Sequence, residues 1–278
     1  MAIRTSVFGR AQSSSSREGT LAKTRLNPLI KDWWARSRLP LVAFVGFFVL
    51  WESFVRLFGV DPLTLPAPSA VFRALFSEFG FYVDHAMVTL YEAVAGFSLG
   101  AGVALLFGVV LAHSPALERM LLPLAVLASV TPVVAIAPLL IIWFGFGALP
   151  KVLIAAIITF FPMLVNSITG FRAVDPNRYD YMRSLCAGKR EIFFKLRLPG
   201  SLPYLFSAAK TCISLSVIGA VVAEWSGSSE GLGNVVMMFG NYMQTVKVFA
   251  AIMMLAAMGI LLTAIVGAIE KKVLAWSR

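Results

Sequence analysis

The sequence predicts an all-α integral membrane protein with six transmembrane helices. Apolar residues make up 59% of the 278 residues and charged residues only 14%, a balance far outside that of soluble domains of this length. Six stretches are long enough to cross a bilayer, whose core takes about 20 apolar residues per helical span. The sequence lacks the sustained polar and apolar alternation of an outer-membrane barrel. The expected fold is therefore a helical bundle.

The basic residues are segregated along the chain, and their positions predict its orientation. Eighteen of the 24 Lys and Arg residues lie before residue 40, between Arg172 and Arg197, or after residue 270. The segments on the other side of the membrane hold Arg73, Lys151 and Lys247. By the positive-inside rule, both termini and the Arg172–Arg197 loop are cytoplasmic. This topology accounts for the net charge of +10, and no nucleic-acid partner is expected.

The first 38 residues predict a partly disordered cytoplasmic tail, because they combine a serine run with scattered basic residues. The membrane domain is expected over residues 39–275. Its first span runs from about Leu39 to Phe58, and Glu52 and Arg56 lie at the i, i+4 spacing of a helical ion pair. Prolines within residues 62–68 then forbid a continuous helix, and the short amphipathic stretch that follows predicts a cap along the outer interface.

The second span, about His85 to Ala112, combines a packing surface with an ionisable residue. Gly96 and Gly100 form a small-xxx-small pair that lets another helix approach closely. Glu92 lies inside the span, where ionisable groups are costly and usually face a bundle interior or a cavity. Two interpretations stay open for Glu92: a role in a pathway or an internal ion pair, or a position close to the outer interface.

The third and fourth spans, about Met120–Trp143 and Lys151–Phe171, are expected to be interrupted by three prolines, Pro132, Pro138 and Pro162. Broken membrane helices are tolerated where the freed backbone is covered by protein or lines a cavity. The run PVVAIAPLLIIWFGFG is therefore a candidate pathway lining, with Trp143 and Phe144 as candidate gate side chains. For Trp143, a place in the outer aromatic belt is the alternative.

The fifth span, about Leu202 to Ala223, carries Lys210 about 16 Å along the helix from Pro199. A lysine there either snorkels to the interface or pairs inward. Small residues after Glu224 predict an external re-entrant or interfacial turn before the sixth span, Val248 to Ile269. The candidate pathway residues are Glu92, Trp143, Phe144, Lys210 and Glu224.

Between Val174 and Tyr204 the chain is polar and basic, yet it has helical spacing. Asp175 before Pro176 is a cap and start signal for a helix. Apolar positions then alternate with a basic surface at helical intervals, which predicts a short helix over Asp180–Phe193. From composition alone, an ordinary positively charged loop is the alternative.

The same stretch resembles the loop motif of permease subunits of bacterial ABC importers, which reads E-A-A, three residues, Gly, nine residues and I-x-L-P. The resemblance implies a coupling loop over residues 174–200 that contacts an ATPase through Asp180, Tyr181, Met182, Arg183, Ser184, Leu185, Cys186, Ala187, Gly188, Leu198 and Pro199. In this sequence Asp-Tyr-Met replaces the Glu-Ala-Ala of the motif, and Cys186 replaces its glycine. If that glycine serves a turn, a Cβ there alters how the loop docks, and Gly188 is expected to supply part of the missing freedom.

The likeness extends over nearly all of residues 40–275, including LPAPSAV, APLLIIWFGFG, GAVVAEW and SSEGLG. Together these segments look like the nitrate, sulfonate and taurine branch of the importer permeases, and QTVKVFAAI favours its thiamine-pyrimidine-precursor subgroup. The resemblance implies a type I ABC importer permease fold with a cytoplasmic coupling helix between the fourth and fifth transmembrane helices.

The resemblance also implies partners. Two copies of this chain would form a homodimer in the bacterial inner membrane, with two cytoplasmic ATPase subunits and an external solute-binding protein. ATP and Mg would bind the ATPase subunits, since the sequence has no G-x-x-x-x-G-K-[ST] loop, and no cofactor or enzymatic activity is expected of this chain. The expected cargo is a small organic solute: a sulfonate, a nitrate-like or taurine-like anion, or a pyrimidine precursor of thiamine.

Two other classes of protein fit the sequence less well. An ion-coupled secondary transporter would use broken helices and acids at mid-membrane, and Glu92 is the one acid well inside a predicted span. An intramembrane enzyme needs a nucleophile and a base. His85 and His113 lie at span ends and lack a second histidine at metal-binding spacing, so neither a catalytic residue nor a metal site is expected.

Overall fold

The computed structural model describes residues 27–275, and the side chains of residues 27–41 and 128–130 lie outside that description. The described residues divide into two compact units after Gly59. The first unit holds helix α1, Asn27–Leu57, in which Glu52 and Arg56 form the expected ion pair at 2.6 Å. This helix begins inside the segment predicted as a tail, and the predicted disorder of residues 1–26 falls outside the described residues.

The second unit is helical throughout its described part. In chain order its helices are α2 (Pro68–Ser77), α3 (Phe79–His113), α4 (Pro115–Val130), α5 (Val133–Phe144), α6 (Ala148–Arg172), α7 (Pro176–Ser184), α8 (Lys189–Ile192), α9 (Leu198–Trp225), α10 (Leu232–Asn241) and α11 (Thr245–Val273). A π-helical segment, Phe193–Arg197, joins α8 to α9. The predicted all-α class is confirmed.

Four helices of the described residues are long and apolar enough to cross a bilayer. They are α3, α6, the continuous rod from α8 through α9, and α11, which correspond to the second, fourth, fifth and sixth predicted spans. The side chains of α1 are only partly described, while α4 and α5 have 16 and 12 residues, fewer than the about 20 of a full span. The count of six spans therefore stays a prediction.

The third predicted span consists of two helices rather than one. Helix α4 ends at Val130 and α5 begins at Val133, so the chain breaks at Pro132 as expected. The interruptions expected at Pro138 and Pro162 are wrong, because both prolines lie inside helices α5 and α6. A proline removes one helical hydrogen bond, and membrane helices tolerate this loss where neighbouring helices cover the backbone.

Helices α3, α6 and α9 pack closely through small residues. A Cβ on Gly96 would overlap the Ala155 side chain, and a Cβ on Gly100 would overlap the backbone of Ala156. From α9, a Cβ on Gly219 would lie 2.9 Å from the Ala155 Cα. The predicted packing role of the Gly96 and Gly100 pair is confirmed. Such close approach increases the van der Waals contact between helices, which holds membrane bundles together.

Short helices cover the two ends of α9. Helices α2 and α10 pack with α3 and α11 at one end, through a cluster of buried residues that includes Val71, Tyr82, Leu232, Val235 and Ala250. Helices α7 and α8 lie at the other end, since α9 has 28 residues and so spans about 42 Å. The predicted cap and the predicted turn after Glu224 are thus each built around a ten-residue helix.

Candidate functional site

The segment between α6 and α9 forms two short helices whose starts are both capped. The Asp175 carboxylate accepts a hydrogen bond from the Asn177 N–H at 2.9 Å, and Pro176 lies in the first turn of α7. This confirms the predicted start signal, because the cap satisfies an N–H that has no partner within the helix. At the start of α8, the Glu191 carboxylate accepts a hydrogen bond from the Gly188 N–H at 3.1 Å.

Helix α7 is not packed into the bundle. None of its nine residues is buried. Tyr181 and the following Leu185 expose 65% and 61% of their surface, and the charged side chains of Asp180 and Arg183 are exposed beside them. Two large apolar side chains therefore lie exposed among charged ones at this end of the bundle.

A left-handed turn separates α7 from α8. The helix ends at Ser184, and Cys186 has a φ of 57°, a region that glycine occupies without steric cost. The Cys186 N–H donates to the Arg183 carbonyl oxygen at 2.9 Å, which closes the end of α7. The single helix expected over Asp180–Phe193 is therefore wrong, because the chain must leave the helical conformation at this turn.

The turn also explains the glycine of the loop motif. The glycine position falls at Cys186, where the backbone is left-handed. Gly188 has a φ of −72°, which any residue adopts. The expectation that Gly188 supplies the missing conformational freedom is therefore wrong. The left-handed residue of the turn is Cys186 itself, although it has a Cβ.

Leu198 and Pro199, which close the motif, form the first turn of α9. Proline has no N–H to donate there, but the helical dihedral angles continue from Arg197 into Leu198, so the helix does not break at this point. Helix α8, the π-helical segment and α9 follow one another without a break, as a rod of 37 residues from Lys189 to Trp225. A force on α8 therefore acts directly on α9.

A buried cluster of ionisable side chains lies at the other end of this rod. Lys151, in the first turn of α6, places its Nζ 2.7 Å from the Glu92 Oε1 of α3. Both side chains are buried, and the carboxyl group of Glu224 from α9 adjoins that of Glu92. A buried charge is strongly unfavourable without a partner. The ion pair therefore ties α3 to α6 at this end of the bundle.

Glu224 also connects α9 to the start of α10. Its carboxylate accepts hydrogen bonds from the Thr89 hydroxyl at 2.7 Å and from the Gly233 N–H. A Cβ on Gly231 or Gly233 would overlap the Glu224 side chain, and Gly231 has a φ of +100°. The glycines of the SSEGLG segment thus let the backbone approach this carboxylate closely.

Side chains of α3 complete the cap on α10. The Leu232 N–H donates to the Thr89 Oγ1 at 2.8 Å, and the Gly231 N–H donates to the His85 Nδ1 at 3.0 Å. Together with the Gly233 N–H, these are the donors that the first turn of a helix leaves without a helical partner. The negative Glu224 carboxylate also complements the positive end of the helix dipole. The cluster therefore fixes the position of α10 against α3 and α9.

The structure brings together two of the five predicted pathway residues, Glu92 and Glu224. Trp143 and Phe144 lie at the end of α5 with 67% and 51% of their surface exposed. Lys210 pairs with Glu270 near the end of α11, and both side chains stay partly exposed. A role in a pathway stays a prediction for all five residues.

Three residues in or beside the buried cluster could not be assigned from the sequence. Lys151 looks there like an outer basic residue, His85 like a histidine without a metal partner, and Thr89 like an ordinary span residue. Charge balance is a signal that points to Lys151, because an acid inside a span requires a partner. The hydrogen bonds of Thr89 and His85 join residues more than 130 positions apart, and no local pattern announces them.

Comparisons with known proteins agree on one family. The family model described as "Binding-protein-dependent transport system inner membrane component" matches residues 104–275. The formylaminopyrimidine transport permease protein ThiX of Halalkalibacterium halodurans is 31% identical over 240 residues, 86% of this chain and 96% of that protein. The putative aliphatic sulfonates transport permease protein SsuC of Bacillus subtilis is 32% identical over 268 residues, 93% of this chain and 95% of that protein.

Solved structures share the fold. A chain of the MetNI methionine ABC transporter, solved in inward facing conformations, superimposes with a TM-score of 0.61 at 19% sequence identity. The match covers 69% of this chain and 95% of that chain. At this identity the likeness concerns the helical architecture alone.

Proposed function

Because this chain belongs to the binding-protein-dependent transport system inner membrane components, in the nitrate, sulfonate and taurine branch, we propose that it is the permease subunit of an importer with separate ATPase and binding-protein subunits. Two copies of the chain form the pathway in the inner membrane. An external solute-binding protein delivers the solute, and two ATPase subunits inside the cell supply the energy.

The observation that carries this proposal is the exposed helix α7 beside an unbroken rod. An ATPase that binds α7 and α8 would act on α9 directly, because α8, the π-helical segment and α9 are continuous. The mixed apolar and charged surface of Tyr181, Asp180 and Arg183 suits such a contact. ATP and Mg bind the ATPase subunits, in agreement with a sequence that has no phosphate-binding loop.

The distribution of basic residues supports an orientation with α7, α8 and both termini in the cytoplasm. The opposite end, with α2, α10 and the buried Glu92, Lys151 and Glu224 cluster, then faces outward. A capped and anchored α10 gives the external binding protein a fixed surface. The cluster in this arrangement serves the shape of the outer end rather than a chemical reaction.

The solute is a small organic compound, either a sulfonate, a nitrate-like or taurine-like anion, or a pyrimidine precursor of thiamine. Two relatives support this range, since one is named for formylaminopyrimidine transport and the other for aliphatic sulfonates. In such a system the binding protein makes the first selection of solute. The ligand of the binding protein encoded beside this chain is therefore the most direct indication of the cargo.

The proposal is tested by reconstituting the chain in proteoliposomes with the ATPase and binding protein encoded beside it. Labelled formylaminopyrimidine, taurine and an alkanesulfonate serve as probes. We expect uptake of at least one probe that requires ATP, the ATPase and the binding protein together. Vesicles without the ATPase are the control. Uptake by the chain alone, driven by an ion gradient without ATP, would overturn the proposal in favour of a secondary transporter.

A further inference from the structure

A cavity of about 410 Å³ lies between α7 and the bundle. Its lining includes Ala112 and Pro115 from the α3–α4 junction, Tyr179 and Asp180 from α7, and Arg197 from the π-helical segment. The wall on the α7 side belongs to a helix with no buried residue. The cavity therefore leaves room for α7 to move against the start of the rod.

Arg197 lacks a partner that it needs. Its Nη1 is buried and donates to no acceptor among the described residues, while its guanidinium carbon lies 5.9 Å from the centroid of the Tyr179 ring. A cation over an aromatic face is favourable, but it satisfies no N–H of the guanidinium. A charged group that keeps a buried N–H without an acceptor is unfavourable. A second arrangement, in which this N–H of Arg197 finds an acceptor, would therefore be favoured.

The acceptor is present in the same cavity. Asp180 lines it, and its carboxylate forms no ion pair with any residue that the structure describes. Arg172, also in the lining, is already paired with Glu118. A carboxylate on the wall disfavours an anionic ligand here, which leaves Asp180 itself as the group best suited to Arg197.

We propose that Arg197 is a positioning residue of the coupling loop. When α7 rotates, the Arg197 guanidinium leaves the Tyr179 ring and pairs with the Asp180 carboxylate. Neighbouring helical residues point about 100° apart, so a rotation of α7 within the cavity moves the Tyr179 ring away and brings the Asp180 carboxylate in. Charge-assisted hydrogen bonds to Asp180 then take the place of the cation–π interaction with Tyr179. This inference rests on the proposed function, because the ATPase is the partner that turns α7.

The position of Arg197 explains how the exchange would reach the membrane. It is the last residue of the π-helical segment and directly precedes α9. A π-helical segment inside a helix is a common feature of functional sites, because its hydrogen bonds are less regular than those of an α-helix. Arg197 thus has contact with α7 on one side and continuous backbone into α9 on the other, so it joins the two elements that must move together.

A charge exchange between the two positions tests the pair. Asp180→Arg and Arg197→Asp are made singly and together, and solute uptake per ATP hydrolysed is measured in proteoliposomes with the ATPase and binding protein. We expect each single variant to lower this ratio by about tenfold and the double variant to recover most of it. The proposal would be overturned if the double variant still co-purifies with the ATPase but its uptake per ATP hydrolysed is no higher than that of the less active single variant.

A matched control uses a partly exposed ion pair on helix α1, which is not among the elements assigned to the ATPase contact. Glu52 and Arg56 are 2.6 Å apart at i, i+4 spacing. Glu52→Arg and Arg56→Glu, singly and together, are expected to change the ratio by less than about twofold, since exposed pairs contribute little. If the ratio drops tenfold in these variants too, charge exchange in general rather than the Arg197 contact is responsible, and the proposal fails.

Cross-linking gives a second and direct measurement. Cysteines are placed at both positions by Asp180→Cys and Arg197→Cys, with Cys186→Ser to remove the exposed native thiol. With the same oxidant, copper phenanthroline, in both states, we expect disulfide formation to be faster when the ATPase is trapped with ATP than without nucleotide. Equal rates would overturn the inference. Absence of ATP-dependent uptake by the unchanged chain would instead overturn the proposed function, so the two failures are distinguishable.

Discussion

Cys186 shows how one residue sets the geometry of the loop. Its φ of 57° lies in the left-handed region, which costs a residue with a Cβ about 1 to 2 kcal/mol. The turn is needed because α7 must end before α8 can begin in line with α9. A glycine in the loop motif is therefore explained by conformation rather than by contact, and this chain keeps the turn without it.

Cys186→Gly should stabilise the loop by about 0.5 to 1 kcal/mol, because glycine removes the steric cost but adds freedom to the unfolded chain. Cys186→Ala keeps the Cβ and should give no such gain. Hydrogen exchange of the amides in residues 174–200 measures the difference. Equal protection in the glycine and alanine variants would show that the left-handed turn is not under strain.

Glu92 and Lys151 show the importance of a buried partner. The two side chains are joined at 2.7 Å, and Glu92 is only 1% exposed. Removing one member of such a pair leaves the other charge in an apolar interior. The expected loss is much larger than for the exposed Glu191 and Lys195 pair, although both pairs consist of the same residue types.

Lys151→Met should lower the free energy of unfolding by about 3 to 5 kcal/mol. A second change, Glu92→Gln, should restore part of this loss because only the Glu224 carboxylate then remains charged in the cluster. Thermal unfolding in detergent can be followed by a thiol-reactive dye in a Cys186→Ser background, since this change removes the exposed thiol and Cys212 is buried until the bundle opens. Lys195→Met is the control and should cost less than about 1 kcal/mol. Equal losses for the two lysines would contradict the assigned role of the buried pair.

At the level of helices, two glycines of α3 differ in whether they lie at the contact with α6. Gly100 faces α6, where an added Cβ would lie 3.0 Å from the Ala156 carbonyl carbon, with backbone on one side that cannot simply rotate away. Gly102 lies two residues on, and a Cβ there would meet no heavy atom within 4 Å. The two glycines therefore have different reasons to be present in one helix.

Gly100→Ala should destabilise the bundle by about 1 to 3 kcal/mol, because the helices must separate to admit the methyl group. Gly102→Ala should be neutral or stabilising by up to about 1 kcal/mol, since alanine favours a helix more than glycine does. Apparent melting temperatures of the two variants in the same detergent provide the comparison. A similar decrease in both would mean that the close approach of α3 and α6 does not limit stability.

The short helices show which element features can be predicted locally. Asp175 and Pro176 predict the start of α7, because capping depends on neighbours in the sequence. The end of α7 at Ser184 escaped prediction, since the sign of φ at Cys186 is not visible in residue type or period. Helix α10 escaped for another reason: its first N–H groups are capped by Thr89, His85 and Glu224 from other helices.

At the scale of the whole second unit, one rod joins two different ends. The rod of α8, the π-helical segment and α9 runs from the exposed α7 region to the buried cluster around Glu224. Few buried contacts hold α7 at the exposed end, whereas an ion pair and a capped helix hold the other end. This asymmetry fits a permease that is moved from one side and receives solute on the other.

The sequence is enough to predict the class, the places of four membrane helices, the basic loop with its helix start, and the resemblance to a family. These features follow from composition, period and neighbouring residues. The packed helices are needed to see that Lys151 pairs with Glu92, that Glu224 caps α10, and that Arg197 shares a cavity with Asp180. Such contacts join residues far apart in the chain, and their geometry exists only once the helices have packed.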